Sequence, residues 1–446
     1  MKRNIVLSSL FVLLLAFTNF AVAQTTKTMT KKTPDGRIRC FTTEHEEYLK
    51  ISDPTRETRE QFENWIAPKI AEMKANKLAN TTTIITIPVV VHVISNGDAI
   101  GSGENISDAQ VLSQINVLNQ DFRKLIGSPG YNSNSVGADV QLEFCMAQRT
   151  PTGTATTGID RVTRTASSYS TEAATETMKA ATSWDPTQYF NIWSVFFSNS
   201  TSAAMNGVLG YAQFPSTSGL SGLATNGGAA NTDGLVIEYR AFGTSDIVPS
   251  LSVNAPYDKG RTASHEIGHC LGLIHIWGDA TCGEDYCADT PVAHTSNFNC
   301  PTVTNCDGTG NEMVENYMDY TDDLCMNIFT LNQKERISAV MTNSPRRASL
   351  KTSLACSPPL ASKEFEYFNS IRIVPNPVRD VLNITIGQSE LPDSLTIYNE
   401  LGQTVLSKKV SSNEDLSVNT DSYSIGNYIL TLTKNNASRA YHFIKE

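Results

Sequence analysis

Four things are scarce in this chain, and most of these shortages exclude a class of function. Beyond the N-terminus, no stretch approaches the ~20 apolar residues needed to span a bilayer. Basic charge is thin: 35 Lys and Arg stand against 45 Asp and Glu, a net charge of −10, and the densest basic spot is the Arg346-Arg347 pair. Without a basic patch, a nucleic-acid backbone is excluded as partner. The acidic excess itself speaks of solubility, not of substrate. Internal repeats are absent apart from a run of short strands near the C-terminus. Histidine is the fourth shortage, with seven in 446 residues, yet three of the seven fall within HEIGHCLGLIH, His265 to His275.

The length suggests two to four folded units with a substantial core. The opening, MKRNIVLSSLFVLLLAFTNFAVAQ, has the Lys2-Arg3 n-region, the apolar run and the Ala21-Val22-Ala23 ending of a secretory signal peptide, with cleavage expected after Ala23. A membrane anchor is disfavoured by the shortness of that run. Export makes the nine cysteines candidates for disulfides, and none lies in the signal peptide. Cys282, Cys287, Cys300, Cys306 and Cys325 crowd the region just after the histidine motif. Nine is odd, so at least one thiol is left over.

A polar stretch leads to Cys40. Residues 55–77 then place Phe62, Trp65, Ile66, Ile70 and Met73 at helical spacing, with Pro68 weakening the middle. LANTTT is linker-like, and ITIPVVVHVIS reads as a buried strand. Residues 107–125 form an amphipathic helix with Ser107 as N-cap. DVQLEFCMA, YFNIWSVFF and DGLVIEYRAF read as strands, and GRTASHEIGHCLGLIH has helical periodicity. A loop rich in Cys, Asp, Gly and Thr follows to about residue 310, then NYMDY and a short helix from Leu331. Past SPPLASKEFEYF, the texture changes to short alternating strands, a small all-β sandwich of roughly 80 residues.

The histidine motif carries the chemistry. His265 and His269, at i and i+4, project from one helix face, as two imidazole ligands of one Zn²⁺ must. Glu266 is rotated away from the pair and suits holding a zinc-bound water as general base and acid. In a continued helix His275 would lie roughly 9 Å beyond His269, out of reach of one ion. The helix must therefore end first, and Gly272 is where a left-handed residue turns the chain cheaply. Three protein ligands leave one coordination position open, the mark of a catalytic site. The bland alternative is an amphipathic helix with Ile267, Leu271 and Ile274 packing in the core. It leaves a glutamate and three histidines at these offsets unexplained.

With Met318 following in NYMDY, the chain resembles a metzincin. IPVVVHVIS, ISDAQVLSQINVLNQDFR, GRTASHEIGHCLGLIH, DTPVAH and NYMDYTDDLCMNIFTLNQKERI, spanning roughly residues 84–342, resemble the pappalysin (M43) metallopeptidases in particular. The fold expected from this is α+β. It comprises a mixed twisted sheet with a zinc-binding helix, a loop-rich disulfide-stapled lower subdomain, and then the small β-sandwich. The expected divisions are a signal peptide (1–23), a pro-segment (24–81), a catalytic domain (82–356), and a linker with C-terminal domain (357–446).

The resemblance also implies roles. Met318 becomes the Met-turn residue beneath the zinc, and Tyr320 hydrogen-bonds the reaction intermediate. Cys282 pairs with Cys306 and Cys300 with Cys325; Cys270 and Cys287 are departures. Asp323, with Asp322 as its neighbour, would hold an Arg or Lys just after the scissile bond, the alternative being a solvated loop carboxylate. Among the loop oxygens of Asp279, Glu284, Asp285, Asp289 and Thr290, the resemblance favours Asp285 and Thr290 as Ca²⁺ ligands. Cys40 would occupy the open zinc position as thiolate and keep a zymogen latent. The alternative for Cys40 is a disulfide to Cys145 or Cys356, and Phe41 departs from the glycine common after that cysteine. Release would follow a cut between roughly Lys74 and Thr82.

VPNPVRDVLNI, IYNELGQTV, GNYILTL and FIKE resemble the C-terminal sorting domain of the type IX secretion system, with a carbohydrate-binding or adhesive β-domain as the alternative. The expectation is a secreted or cell-surface zinc endopeptidase acting on protein or peptide substrates. Its rivals are a zinc-containing surface adhesin with a vestigial site and a zinc hydrolase of non-peptide bonds.

Overall fold

The computed structural model describes residues 31–76, 83–215, 229–359, 367–368, 370–387, 390–435 and 437–446. The expected signal peptide and most of the expected activation stretch lie outside these residues. Among the described residues, no helix is long and apolar enough to cross a membrane.

The N-terminal segment contributes two helices, α1 (Thr42–Ser52) and α2 (Arg59–Ala75). Thr58 and Gln61 close a capping box at the start of α2. Contrary to the expected weakness at Pro68, α2 runs unbroken through it. Pro68 lies on the exposed face, so the carbonyl it leaves without a helical donor sits on the wet side. The opposite face buries Phe62, Ile66 and Met73.

The central sheet is built from β1 (Ile85–Ser95), β2 (Leu142–Met146), β3 (Ile159–Thr163), β4 (Phe190–Val195), β5 (Gly210–Ala212) and β6 (Leu235–Glu238), in the order β2-β1-β4-β6-β5. β1 is long enough to pair with β2 along its first half and β3 along its second. Its continuous apolar run follows, since a parallel strand inside a sheet is covered on both faces. All pairings are parallel except that of β5, which closes the edge antiparallel to β6. Helices α3 (Asp108–Phe122, capped by Ser107) and α4 (Glu172–Thr182) lie between strands in the chain. Sequence periodicity gave no sign of α1, β3, α4 or β5: the helices are polar and short, and the strands have five and three residues. DGLVIEYRAF is strand only to Glu238, and Tyr239–Ala241 then turns as a 3₁₀ segment.

α5 (Arg261–Cys270) carries the histidine motif. It is followed by an irregular half closed by α6 (Leu331–Asn343) and α7 (Pro345–Leu350). Disulfides Cys282–Cys306 and Cys300–Cys325 staple that half, and Cys145–Cys356 ties β2 to the segment after α7. Cys40 is therefore not in a disulfide; it, Cys270 and Cys287 are buried thiols.

The C-terminal part is a sandwich. One sheet has the order β10-β9-β12-β13, from β9 (Ser394–Asn399), β10 (Thr404–Lys409), β12 (Gly426–Lys434) and β13 (Ala437–Lys445). The other is β11-β8-β7, from β7 (Arg372–Val374), β8 (Val381–Thr385) and β11 (Ser417–Asn419). Leu382 and Ile384 of one sheet share a core with Leu395, Ile397, Leu430 and Phe443 of the other.

Candidate active site

α5 is buried along its whole length beside the β5–β6 edge. It stops where the motif arithmetic requires: Gly272 has φ +89°, and a Cβ there would come within 2.7 Å of Val340. The turn brings His275 back. The Nε2 atoms of His265 and His269 are 3.1 Å apart, and those of His269 and His275 3.2 Å. Each ring is oriented from behind. Nδ1 of His265 donates to the Tyr317 carbonyl at 2.7 Å, Nδ1 of His269 to the Leu273 carbonyl at 2.9 Å, and Nδ1 of His275 to Asp279. With the proton on Nδ1, each Nε2 presents a lone pair. Burial holds His265 well below the usual histidine range and His269 down to about 3, so both rings are neutral. Three converging lone pairs repel unless a cation sits among them, so the donor set fits a metal ion, and the acceptors on Nδ1 fix how each ring would face it.

Cys40 Sγ joins this cluster, every ligand atom lying within 4.8 Å of the others. Burial and the Glu266 charge push its thiol well up, so a thiolate there needs a cation beside it. Glu266 is fully buried, which raises its carboxyl to about 7. Its Oε2 accepts from Thr42 Oγ1 at 2.7 Å and lies 3.6 Å from Cys40 Sγ, while Oε1 has no partner among the described residues. The Thr42 hydroxyl also accepts the Ala212 N–H of edge strand β5 at 2.9 Å. Residues 38–41 run along that edge, Ile38 bridging Val208 in parallel and Phe41 N–H donating to Gly210. The N-terminal segment thus lies across the cluster, tied to the sheet edge at Ile38 and Phe41.

Below the three histidines, Met318 is fully buried against Gly268, where a Cβ would strike its sulfur. The Tyr320 ring stands edge-on to His275, centroids 4.9 Å apart, and Trp277 stacks flat on His275 at 4.4 Å.

Asp323 is not a solvated loop carboxylate. It is buried and ion-paired at 2.8 Å with Arg39, and it accepts the N–H groups of Lys259 and Arg261 at 2.9 and 3.2 Å. Arg39, next to Cys40, also donates to Thr262 and lies over the Tyr257 ring. Asp285 and Thr290 are brought together, the Thr290 hydroxyl reaching both carboxylate oxygens at 2.9 and 2.8 Å, and burial raises the Asp285 carboxyl to about 7. Asp279, weighed among the loop oxygens for calcium, instead holds His275 and pairs with Arg59 of α2.

Sequence reasoning missed Arg39, Thr42, Arg59 and Asp279 in these places. RIRC beside the expected switch cysteine was the one available signal, an arginine adjoining a cysteine that must reach the same cleft.

Comparisons with known proteins give two family matches: "Pregnancy-associated plasma protein-A", the M43 peptidases, over residues 173–342, and "Secretion system C-terminal sorting domain" over residues 372–446. An extracellular metalloprotease of Arthroderma benhamiae is 31% identical over 263 residues, covering 58% of this chain and 79% of its own. One from Arthroderma otae is 30% identical over 280 residues, covering 62% and 85%. Among solved structures, mature mirolysin of Tannerella forsythia in complex with a cleaved peptide is 36% identical, with TM-score 0.50, covering 61% of this chain and 97% of that one. A mutant of Tannerella forsythia promirolysin is 33% identical, with TM-score 0.52, covering 70% and 96%.

Proposed function

As this chain belongs to the M43 (pappalysin) family of metallopeptidases, we propose that it is a zinc endopeptidase made as a latent precursor, cleaving before Arg or Lys. The observation that carries this is the joint geometry of three converging imidazoles, an adjoining buried carboxylate, and an arginine already seated on Asp323. Zinc, when bound by His265, His269 and His275, supplies Lewis acidity toward the scissile carbonyl and acidifies water. Glu266 takes the proton of the attacking water and passes it to the leaving amine, its carboxylate standing beside the converging histidines with Oε1 unpartnered among the described residues. The Tyr320 hydroxyl donates to the developing oxyanion. Asp323 receives the basic side chain that follows the scissile bond, its two backbone N–H donors keeping the carboxylate aimed.

Latency rests on the N-terminal segment. Cys40 fills the position substrate needs, Thr42 occupies the general base, and Arg39 fills the Asp323 pocket. Asp285 and Thr290 are read as oxygen ligands of a calcium ion, since a buried carboxylate with so high a pKa is a group a divalent cation would neutralise. The C-terminal sandwich is read as the address for type IX export, which leaves the enzyme secreted or on the cell surface.

The test is hydrolysis of Arg-containing peptides by processed protein beside Glu266→Ala with equal zinc content. The unmodified protein should cleave and the variant should lose activity by about 10²–10⁴-fold. Equal cleavage by both, or none by either with zinc bound, overturns the assignment.

A further inference from the structure

Arg37 is held as specifically as Arg39, by a place nothing above assigns. Its Nη1 donates to the Asn254 carbonyl at 2.8 Å and to Asn254 Oδ1 at 2.9 Å, and its Nη2 to the Ala255 carbonyl at 2.9 Å. Its guanidinium lies over the Tyr257 ring, 4.8 Å from the centroid, and that of Arg39 lies 4.7 Å from the same centroid. Tyr257 is therefore a wall shared by two adjacent arginine sites.

The outer site is built by the protein around it. Asn254 Nδ2 donates to the Tyr257 carbonyl at 3.0 Å, which turns Oδ1 toward the guanidinium. The Pro256 carbonyl accepts the Asp323 N–H at 3.1 Å, so one loop shapes both sites. Its acceptors are two carbonyls and an amide oxygen beside a ring face, a set that matches a planar guanidinium fork better than a point-like ammonium. The one acid pairing directly with Arg37, Asp35, belongs to the N-terminal segment and leaves with it.

We propose that Asn254, Ala255 and Tyr257 form a second specificity subsite, for an arginine of the substrate two residues beyond the one bound by Asp323. This rests on the reading of Asp323 as the pocket for the residue after the scissile bond. Outward from the histidines the order is Cys40, Arg39, then Arg37. A substrate cut at the histidines and placing its first following residue (P1′) on Asp323 carries its third (P3′) toward the outer subsite. In an extended chain alternate side chains point the same way, which matches the two-residue spacing.

The experiment uses processed, zinc-loaded protein and quenched-fluorescent peptides with Arg at P1′ and Arg, Lys, citrulline or Gln at P3′, beside a matched pair carrying Arg or Gln at P1′. Arg at P3′ should raise kcat/KM about tenfold over Gln, with Lys and citrulline between them, given a charge-assisted fork plus a ring contact. Asn254→Ala should narrow that ratio severalfold, and if the variant fails to fold, the peptide series on the unmodified protein decides alone. Equal kcat/KM for all four P3′ residues, with Arg still preferred at P1′, overturns the proposal and makes Arg37 a tether of the N-terminal segment only. Loss of the P1′ preference as well overturns the Asp323 reading first, and the outer subsite with it.

Discussion

Replacing Arg39 with alanine in the full-length precursor should release much of its latency, and the size of the effect follows from the surroundings. Both partners of the Arg39–Asp323 pair have fully buried side chains, with N and O 2.8 Å apart. At an effective dielectric of ~20 and a charge separation of ~4 Å, the attraction is about 4 kcal/mol. Against it stands the desolvation of both groups, so the pair's net worth is smaller than that. Removing only the arginine differs from removing the pair, because Asp323 stays behind. Breaking one side of a buried pair costs about 3–5 kcal/mol. Here the Lys259 and Arg261 N–H groups still serve the carboxylate, and a vacated pocket can admit water, which favours the low end. About 3 kcal/mol corresponds to roughly a hundredfold weaker hold on the segment. The assay is the initial rate of Arg-peptide hydrolysis by uncleaved precursor, with intact mass confirming that no cut has occurred. Arg39→Lys should restore only part of the latency, since an ammonium cannot donate to Asp323 and Thr262 as the fork does. An Arg39→Ala precursor as silent as the unmodified one would refute the reasoning and place the hold elsewhere.

Four further outcomes are expected. Thr42→Val keeps the side-chain shape but strips a hydroxyl that serves Glu266 and Ala212, so precursor activity should rise about tenfold or more, with Thr42→Ser near normal. Chelation should abolish hydrolysis and lower the melting temperature of processed protein, and zinc should restore both, because metal binding is linked to folding. Cys356→Ser opens a link spanning 211 residues and should cost about 2–5 kcal/mol in denaturant unfolding, with peptide specificity unchanged. Burial raises the Glu238 carboxyl from 4.5 to about 7, so the folded state holds a proton that the unfolded chain releases. Its stabilisation is full below about 4.5 and is lost as pH rises through about 7, and in Glu238→Gln the melting temperature should fall less between pH 5 and pH 7.5.

Legibility followed the length scale of each signal. The convergence of the three histidines could be read because i, i+4 and a glycine break are local geometry, and α5 and Gly272 satisfy that arithmetic inside eleven residues. β1 and α3 were plain for the same reason, β1 as a largely apolar run of eleven residues and α3 as fifteen residues in which a helical period can repeat. What escaped depends on contacts far apart in sequence. Asp279 is the exception: it stands only four positions after His275, outside any helix, and was weighed as a loop oxygen because nothing in the spacing says that His275 needs an acceptor on Nδ1. Thr42 meets Glu266 across 224 positions, and Arg39 meets Asp323 across 284. Pro68 shows the opposite failure: a local rule predicted weakness, and packing of the other face of α2 overrode it.

On the proposed reading of a latent precursor, the same long-range contacts bear on how latency would end. α2 is not merely a spacer before the catalytic part. Phe62, Ile66 and Met73 share an apolar cluster with Ala339 and Val340 of α6, and Glu63 forms a buried pair with Arg336. Arg336 also donates to the Gly272 carbonyl at 2.5 Å, so α2 is fastened to the turn that places His275. A single cut after α2 breaks none of these contacts, nor the ties of Arg37, Arg39 and Arg59. It only converts an intramolecular hold into a bimolecular one, which persists while the released segment stays near. Activation therefore calls for a second event that unfolds or trims the segment. The stretch between α1 and α2 is the place to look, because Pro54 and Thr55 lie exposed there, outside both helices. A cut there would separate the strap over the histidines from the helix that anchors it.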